Sequence, residues 1–272
     1  MRNRSSIILK FVFVCLALFG MVVGQDSKTS SGPNQSRMPT LFIIGDSTVN
    51  NSEEGMKGWG NVVSDYFDRT KINVVNRARG GRSSRTFYTE GLWDQVAAEI
   101  KPGDFVLMQF GHNDGGPIDK EKFRGSLKGI GEETQEITVE ATGKKEAVHT
   151  YGWYMNKFIS DAKTKGATAI VLSPVPRNIW KDGRVVRAVD DYGKWAAESA
   201  KIGGAVFVDL NEIVARRYEK DGEDKVDSQY FTIKDHTHTS PAGARVNAES
   251  VIEGLRSLKK DPLKKYLLKE KK

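Results

Sequence analysis

The first residue in this chain with the setting for covalent chemistry is Ser47. An apolar run, Thr40 to Ile44, leads into Gly45-Asp46-Ser47. A sharp turn at a strand end can hold a serine hydroxyl clear of the sheet and aim backbone N–H groups at a substrate. The hydroxyl still needs a base to take its proton. A candidate base lies far along the chain in Lys-Asp-His-Thr-His-Thr-Ser-Pro-Ala-Gly, where Asp235 and His238 are three residues apart. A carboxylate beside an imidazole can fix its tautomer and stabilise its charged form. Two further residues could serve a developing oxyanion: Asn113, through its side-chain amide, and Gly81, through its backbone N–H. Taken singly, each signal has a plainer reading. Asp-Ser-Thr is an ordinary turn, Asn113 and Gly81 are turn formers, and His236 with His238 and Asp235 could ligate zinc.

The elements that must position these groups follow from hydrophobic periodicity. Apolar runs at Thr40–Ile44, Ile72–Val75, Phe105–Phe110, Ala169–Leu172 and Ala205–Leu210 read as strands. Helical spacing connects them over Trp59–Phe67, Leu92–Ile100, Tyr154–Lys165 and Ala188–Lys201, and Ser240-Pro241 reads as the N-cap and first residue of a last helix. Strands alternating with helices imply an α/β fold whose parallel sheet is covered on both faces. In such sheets ligands bind outside the carboxyl ends of the strands. The first three strands end there in polar, Gly-rich turns, at Gly45-Asp46-Ser47, Arg79-Gly80-Gly81-Arg82 and Gly111-His112-Asn113-Asp114. One region departs from the alternation. Between about 116 and 150, two partly β-branched segments flank the polar turn Thr142-Gly143-Lys144-Lys145, which predicts an inserted hairpin.

Composition sets the outer limits. The chain has 272 residues, 38% hydrophobic and 28% charged, with a formal net charge of +7, enough apolar content to fill a core. Arg2, Arg4 and Lys10 precede the apolar stretch Phe11–Val23, and Val22-Val23-Gly24 offers small residues for cleavage before Gln25. That is the layout of a secretory signal peptide over 1–24, followed by a polar linker over 25–39, so export to the periplasm or the medium is expected. The single cysteine, Cys15, falls within this leader, which leaves the mature chain no thiol for a nucleophile, a disulfide or a metal site. The lysine-rich segment 259–272 reads as a solvated terminal helix after a domain spanning 40–258. No basic patch interleaved with aromatics points to nucleic acid, and no later segment reads as a membrane span. A P-loop, a dinucleotide fingerprint and a Gly-x-Ser-x-Gly elbow are all absent.

Together, Gly45-Asp46-Ser47, the Gly81 turn, Gly111-His112-Asn113-Asp114 and Asp235-His236-Thr237-His238 resemble the four blocks of SGNH (GDSL-like) hydrolases in order and approximate spacing. The first and last blocks lie about 190 residues apart, so the resemblance covers nearly the whole mature chain. Gly-Asp-Ser-Thr-Val, Gly-Arg-Ser-Ser-Arg-Thr-Phe and Asp-His-Thr-His-Thr-Ser-Pro-Ala-Gly are most similar to rhamnogalacturonan acetylesterases and their bacterial relatives. The resemblance implies a flavodoxin-like three-layer α/β/α sandwich with a five-stranded parallel sheet, and a serine esterase acting without metal or other cofactor. Carried over by motif, Ser47 is the nucleophile, His238 the general base and Asp235 its orienting carboxylate. Ser47 N–H, Gly81 N–H and the Asn113 side chain form the oxyanion hole, and His236 has no catalytic part. The expected substrate is an acetylated plant cell-wall polysaccharide, with Arg82, Arg85, Arg177 and Trp180 as candidate contacts to it. Two other readings remain open on the same fold: a small-ester or lipid esterase or thioesterase, and a non-catalytic carbohydrate-binding relative.

Overall fold

The structure, a computed structural model, describes residues 37–231 and 235–269. The leader 1–24 and the linker up to residue 36 lie outside the described residues. Five strands form one parallel sheet: β1 (Thr40–Gly45), β2 (Asn73–Asn76), β3 (Phe105–Gln109), β6 (Thr168–Leu172) and β9 (Val206–Val208), in the order β2-β1-β3-β6-β9. Strand β1 pairs Leu41 with Val74 on one side and with Phe105 on the other. The strand order reverses between β1 and β3, which marks the crevice where a flavodoxin-like sheet takes its ligand.

Alternation along each strand divides the core into two layers. Leu41, Ile43, Leu107, Ile170 and Leu172 face one side, where they join Tyr218 of α5 (Leu210–Asp221) and Val251 and Leu255 of α7 (Pro241–Ser257). Phe42, Ile44, Val106, Met108 and Val171 face the other. There they meet Phe87 of α1 (Ser84–Thr89), Trp93 of α2 (Leu92–Glu99), Phe158 of α3 (Tyr151–Thr164) and Ala196 of α4 (Tyr192–Gly203). The expected three-layer α/β/α sandwich is thus present. Between β3 and α3, an antiparallel ribbon pairs β4 (Thr134–Thr138) with β5 (Lys145–His149) around its own small core of Ile137, Val139 and Val148. A second, two-residue ribbon joins β7 (Trp180–Lys181) to β8 (Arg184–Val185). A single turn, α6 (Glu223–Lys225), continues into a π-helical turn over Val226–Tyr230.

Three features differ from the sequence expectation. The helix expected over Trp59–Phe67 is instead two 3₁₀ turns, Trp59–Asn61 and Val63–Tyr66. Backbone hydrogen bonds tie this segment to the serine turn: Trp59 N–H donates to Thr48 O at 3.0 Å and Gly60 N–H to Val49 O at 2.9 Å. A Cβ on Gly58 would lie 2.3 Å from the Val49 carbonyl carbon, so glycine is required where the two segments touch. The second difference concerns helix count and bounds: α1 and α5 are additional to the helices expected, although Leu210, Ile213, Val214 and Tyr218 give α5 an apolar stripe, while α3 starts at Tyr151 behind its Thr150 N-cap and α4 starts at Tyr192.

The third difference is the basic tail. Its described part is not a solvated helix. A short 3₁₀ turn, Lys264–Tyr266, places Leu263 and Tyr266 in the core, the Tyr266 ring lies 5.6 Å from that of Phe105, and Leu267 bridges to Phe67. The lysines face outward while the apolar residues between them dock. Leu263→Ala should therefore lower unfolding free energy by about 2–4 kcal/mol, the usual cost of emptying a buried leucine site. Chemical denaturation would check this, and a loss below about 0.5 kcal/mol, typical of a surface change, would contradict the docking.

Candidate active site

Gly45 brings β1 to its end under tight steric limits. A Cβ there would sit 2.6 Å from both Gln109 O and Val49 Cγ2, so only glycine lets the chain pass between them. The next residue, Asp46, is fully buried and holds the turn from inside. Its Oδ1 accepts from Thr48 N–H at 2.8 Å and from Thr48 Oγ1–H at 2.7 Å, and its carbonyl accepts from Asn50 N–H at 3.0 Å. Its Oδ2 faces His112 Nδ1 at 3.4 Å, and His112 Nε2–H donates to Val175 O at 2.9 Å. Burial pushes the Asp46 carboxyl up, but the charge and hydrogen bond of His112 with the two Thr48 hydrogen bonds outweigh it and hold it below the usual carboxylate range. The turn thereby presents Ser47 outward from the sheet edge.

Ser47 meets the expected partners. Its Oγ lies 2.8 Å from His238 Nε2, and His238 Nδ1 lies 2.6 Å from Asp235 Oδ2. The other oxygen of Asp235 accepts backbone N–H bonds from Thr237 at 2.6 Å and from His238 at 3.0 Å. Burial raises the Asp235 carboxyl, while the His238 hydrogen bond and these two amides hold it below its ordinary value. An ionised Asp235 facing Nδ1 fixes that nitrogen as the protonated one and leaves Nε2 as the acceptor toward Ser47. His236 is exposed and turns toward Thr237 Oγ1 at 2.9 Å. His238 thus has both ring nitrogens engaged, and among the described residues no three His, Cys, Asp or Glu side chains cluster to hold a metal.

Opposite the serine, Gly81 takes a left-handed φ of 76°, and Asn113 Nδ2 donates one hydrogen to Arg82 O at 2.8 Å. The second amide hydrogen of Asn113 is left for a ligand. Ser47, His238, Gly81, Asn113 and Arg82 line one cleft of about 550 Å³.

The other candidate contacts lie elsewhere, each for a visible reason. Arg85 is 1% exposed; it donates to Glu146 Oε1 at 2.7 Å and to the carbonyls of Ile118 and Gly125, so it anchors the 116–125 segment and cannot meet substrate. Trp180 packs partly buried against the core and donates to Asn178 Oδ1 at 2.8 Å, away from the cleft lining. Arg177 donates to Thr237 Oγ1 and to His112 O, and faces a separate pocket of about 450 Å³ beside Val175 and Ile179. Sequence reading missed Arg79, Lys122 and Arg124, which do line the cleft. Arg79 stands directly before the Gly80-Gly81 turn, which could have drawn attention to it. Lys122 and Arg124 fall in the charged stretch Asp119-Lys120-Glu121-Lys122-Phe123-Arg124, which reads as solvated surface.

Residues 43–246 match the GDSL-like Lipase/Acylhydrolase family. The chain belongs to that family of ester hydrolases. It is 32% identical over 216 residues to a rhamnogalacturonan acetylesterase of Emericella nidulans, covering 79% of this chain and 84% of that protein. It is 29% identical over 236 residues to the probable rhamnogalacturonan acetylesterase YesY of Bacillus subtilis, covering 85% of this chain and 98% of that one. Among solved structures, YxiM of Bacillus subtilis superposes with a TM-score of 0.65 at 24% identity, over 81% of this chain but only 56% of that longer one. The acetylxylan esterase Axe2 of Geobacillus stearothermophilus superposes with a TM-score of 0.53 at 18% identity, over 79% of this chain and 93% of that one. Both superpositions show the same fold.

A second buried carboxylate ties the cleft together from behind. Asp114 accepts from Ser84 N–H at 3.1 Å and from Ser126 Oγ–H at 3.1 Å, and also from Ser84 Oγ–H. It thereby joins the start of α1 to the inserted segment. Burial drives its carboxyl up to about 6 against those hydrogen bonds. A carboxyl raised on folding binds its proton more tightly in the native state, so its contribution to stability grows as pH falls from about 6 toward the ordinary value near 3.8 and is lost as pH rises through that window. Asp114→Asn removes this dependence. The stability difference between wild type and variant, from denaturant titrations at pH 7 and pH 4, should shift toward wild type at the lower pH by an amount on the order of 2 kcal/mol. A pH-independent difference would contradict the raised pKa.

Proposed function

We propose that this chain is an exported carbohydrate esterase that removes acetyl groups from a plant cell-wall polysaccharide, rhamnogalacturonan foremost, through an acyl-enzyme. The observation that carries this reading is the continuous relay Ser47–His238–Asp235 opening onto a polar cleft. His238 Nε2 takes the Ser47 proton as Oγ attacks the acetyl carbonyl. The oxyanion then receives hydrogen bonds from the backbone N–H groups of Ser47 and Gly81 and from the free amide hydrogen of Asn113. His238 returns its proton to the departing sugar hydroxyl, while Asp235 stabilises the imidazolium between the two steps. A water molecule, deprotonated by the same nitrogen, releases acetate from Ser47.

Two lines support the substrate. The relatives in Emericella nidulans and Bacillus subtilis are named as rhamnogalacturonan acetylesterases, YesY as a probable one. The cleft wall is mainly polar, with Asn50, Asn51, Ser52 and Asn113 around Ser47, and among the described residues it offers no apolar channel for a long acyl chain. The leader-like segment 1–24 supports export, which places the enzyme where such polymers are met.

Ser47→Ala should reduce turnover of p-nitrophenyl acetate by roughly 10⁶-fold, and His238→Ala by nearly as much, if the relay acts as a unit. His236→Ala should be far milder, and equal losses at the two histidines would overturn the assignment. Asn113→Ala should lower kcat by about 10²–10³-fold with little change in KM. A change confined to KM would make Asn113 a binding residue instead.

For the substrate, p-nitrophenyl acetate should be cleaved far faster than the octanoate ester, and acetate should be released more efficiently from acetylated rhamnogalacturonan than from acetylated xylan. Preference for octanoate would move the protein to a lipase reading, and preference for xylan would keep the esterase while discarding the pectic substrate.

A further inference from the structure

The cleft that holds Ser47 carries an imbalance of charge that the hydrolytic chemistry does not use. Four cations line it, Arg79, Arg82, Lys122 and Arg124, against one carboxylate, Glu53. Arg82 is neutralised by Glu90 at 2.8 Å. The other three have no ion-pair partner among the described residues. Two of them come from the segment that follows β3, and that segment is built to aim them. Glu121 and Phe123, on either side of Lys122, both adopt positive φ, 54° and 33°, a conformation costly for residues with a Cβ. The segment is held from beneath by Asp114, through Ser126, and by Arg85, whose guanidinium donates to Ile118 O at 2.7 Å and to Gly125 O at 2.8 Å. Fixed in this way, Arg124 reaches across to donate to Gly81 O at 3.0 Å. Its remaining N–H donors face the cleft.

Resting on the polysaccharide esterase reading, we propose that Arg79, Lys122 and Arg124 form a carboxylate-binding rim that recognises a uronate carboxylate of the acetylated polymer. A uronate offers a planar two-oxygen anion, which a guanidinium meets with paired hydrogen bonds and an ammonium meets as a point charge. An acetyl group carries no carboxylate, so an anion held at this rim, beside Gly81, belongs to the leaving alcohol side of the ester. Burial lowers the Arg124 guanidinium from its ordinary value, with Arg82 and Arg177 adding to the effect and the buried carboxylates Asp46 and Asp114 opposing it, and none of these groups forms an ion pair with it, so an incoming anion would supply a direct counter-charge. Arg124 also acts as a positioning residue, because its bond to Gly81 O restrains the peptide that presents the Gly81 turn to the substrate.

The test compares two forms of one substrate: acetylated rhamnogalacturonan oligosaccharides, and the same oligosaccharides with their uronate carboxyls reduced to alcohols. Wild type should show kcat/KM about tenfold higher on the charged form, carried mainly in KM, with the ratio falling as salt is raised. The Lys122→Gln/Arg124→Gln double variant should bring the ratio close to one. Arg124→Lys should restore part of it, and Lys128→Gln, on the same insertion but outside the cleft, should leave it intact. Loss of the Gly81 tie would lower kcat on both forms alike, so the ratio isolates charge recognition from positioning. Equal wild-type rates on the two forms, or a ratio unmoved in the double variant, overturns the rim and leaves the esterase standing. Absence of acetate release from both forms, with p-nitrophenyl acetate still cleaved, overturns the polysaccharide reading and the rim with it.

Discussion

The arrangement depends on a negative charge with no access to water. Asp46 lies beneath Ser47 and would be expelled or neutralised without compensation, since an unpaired buried carboxylate costs several kcal/mol. Compensation comes from three directions: the Thr48 amide, the Thr48 hydroxyl and His112. His112 is in turn fixed by Val175 O. This chain of contacts runs across the ends of β1, β3 and β6, so one carboxylate sets the relative positions of the serine turn, the Asn113 turn and the loop after β6. The sheet supplies the platform, and Asp46 locks its edge.

The same edge must receive a residue from the far end of the chain. Ser47 and His238 are 191 residues apart, and closing so large a loop costs only slowly more entropy than closing a short one. The offset is packing. Helix α7, directly after the histidine loop, buries Ala244, Ala248, Val251 and Leu255 against the sheet. Its start is capped by the Ser240 side chain with Pro241 in the first turn. Lys57 N–H donates to Thr239 O at 2.8 Å, and Thr239 Oγ1–H donates to Lys57 O at 2.8 Å. This reciprocal pair fastens the segment after the serine turn to the segment after the histidine.

What could be read from the sequence divides along physical lines. The sheet strands were legible because fully buried parallel strands are short apolar runs bounded by turns. Ser47, Asp235, His238, Gly81 and Asn113 were legible as a set only through the resemblance of their four blocks to SGNH hydrolases, since each alone reads as a turn former or a zinc ligand, and the structure gathers all five at one edge. The 3₁₀ turns after Trp59 were not legible, since the contact that forbids an α-helix there is a backbone approach to Val49, invisible to periodicity. Arg85 and Arg177 could not be told from cleft arginines, because a guanidinium bonded to backbone carbonyls and one facing solvent have the same letter. Lys122 and Arg124 were missed for the opposite reason: their charge run looked like surface, and only the anchoring of the loop turns it inward.

The insertion between β3 and α3 separates two jobs within one segment. Its hold on the body is buried, through Asp114, Ser126 and Arg85, while the side chains it carries over the cleft are exposed or half-exposed. Replacing Lys122 removes no core contact, whereas replacing Asp114 or Arg85 disturbs a buried polar network. Substrate preference in this scaffold can therefore drift over evolutionary time at little cost to folding.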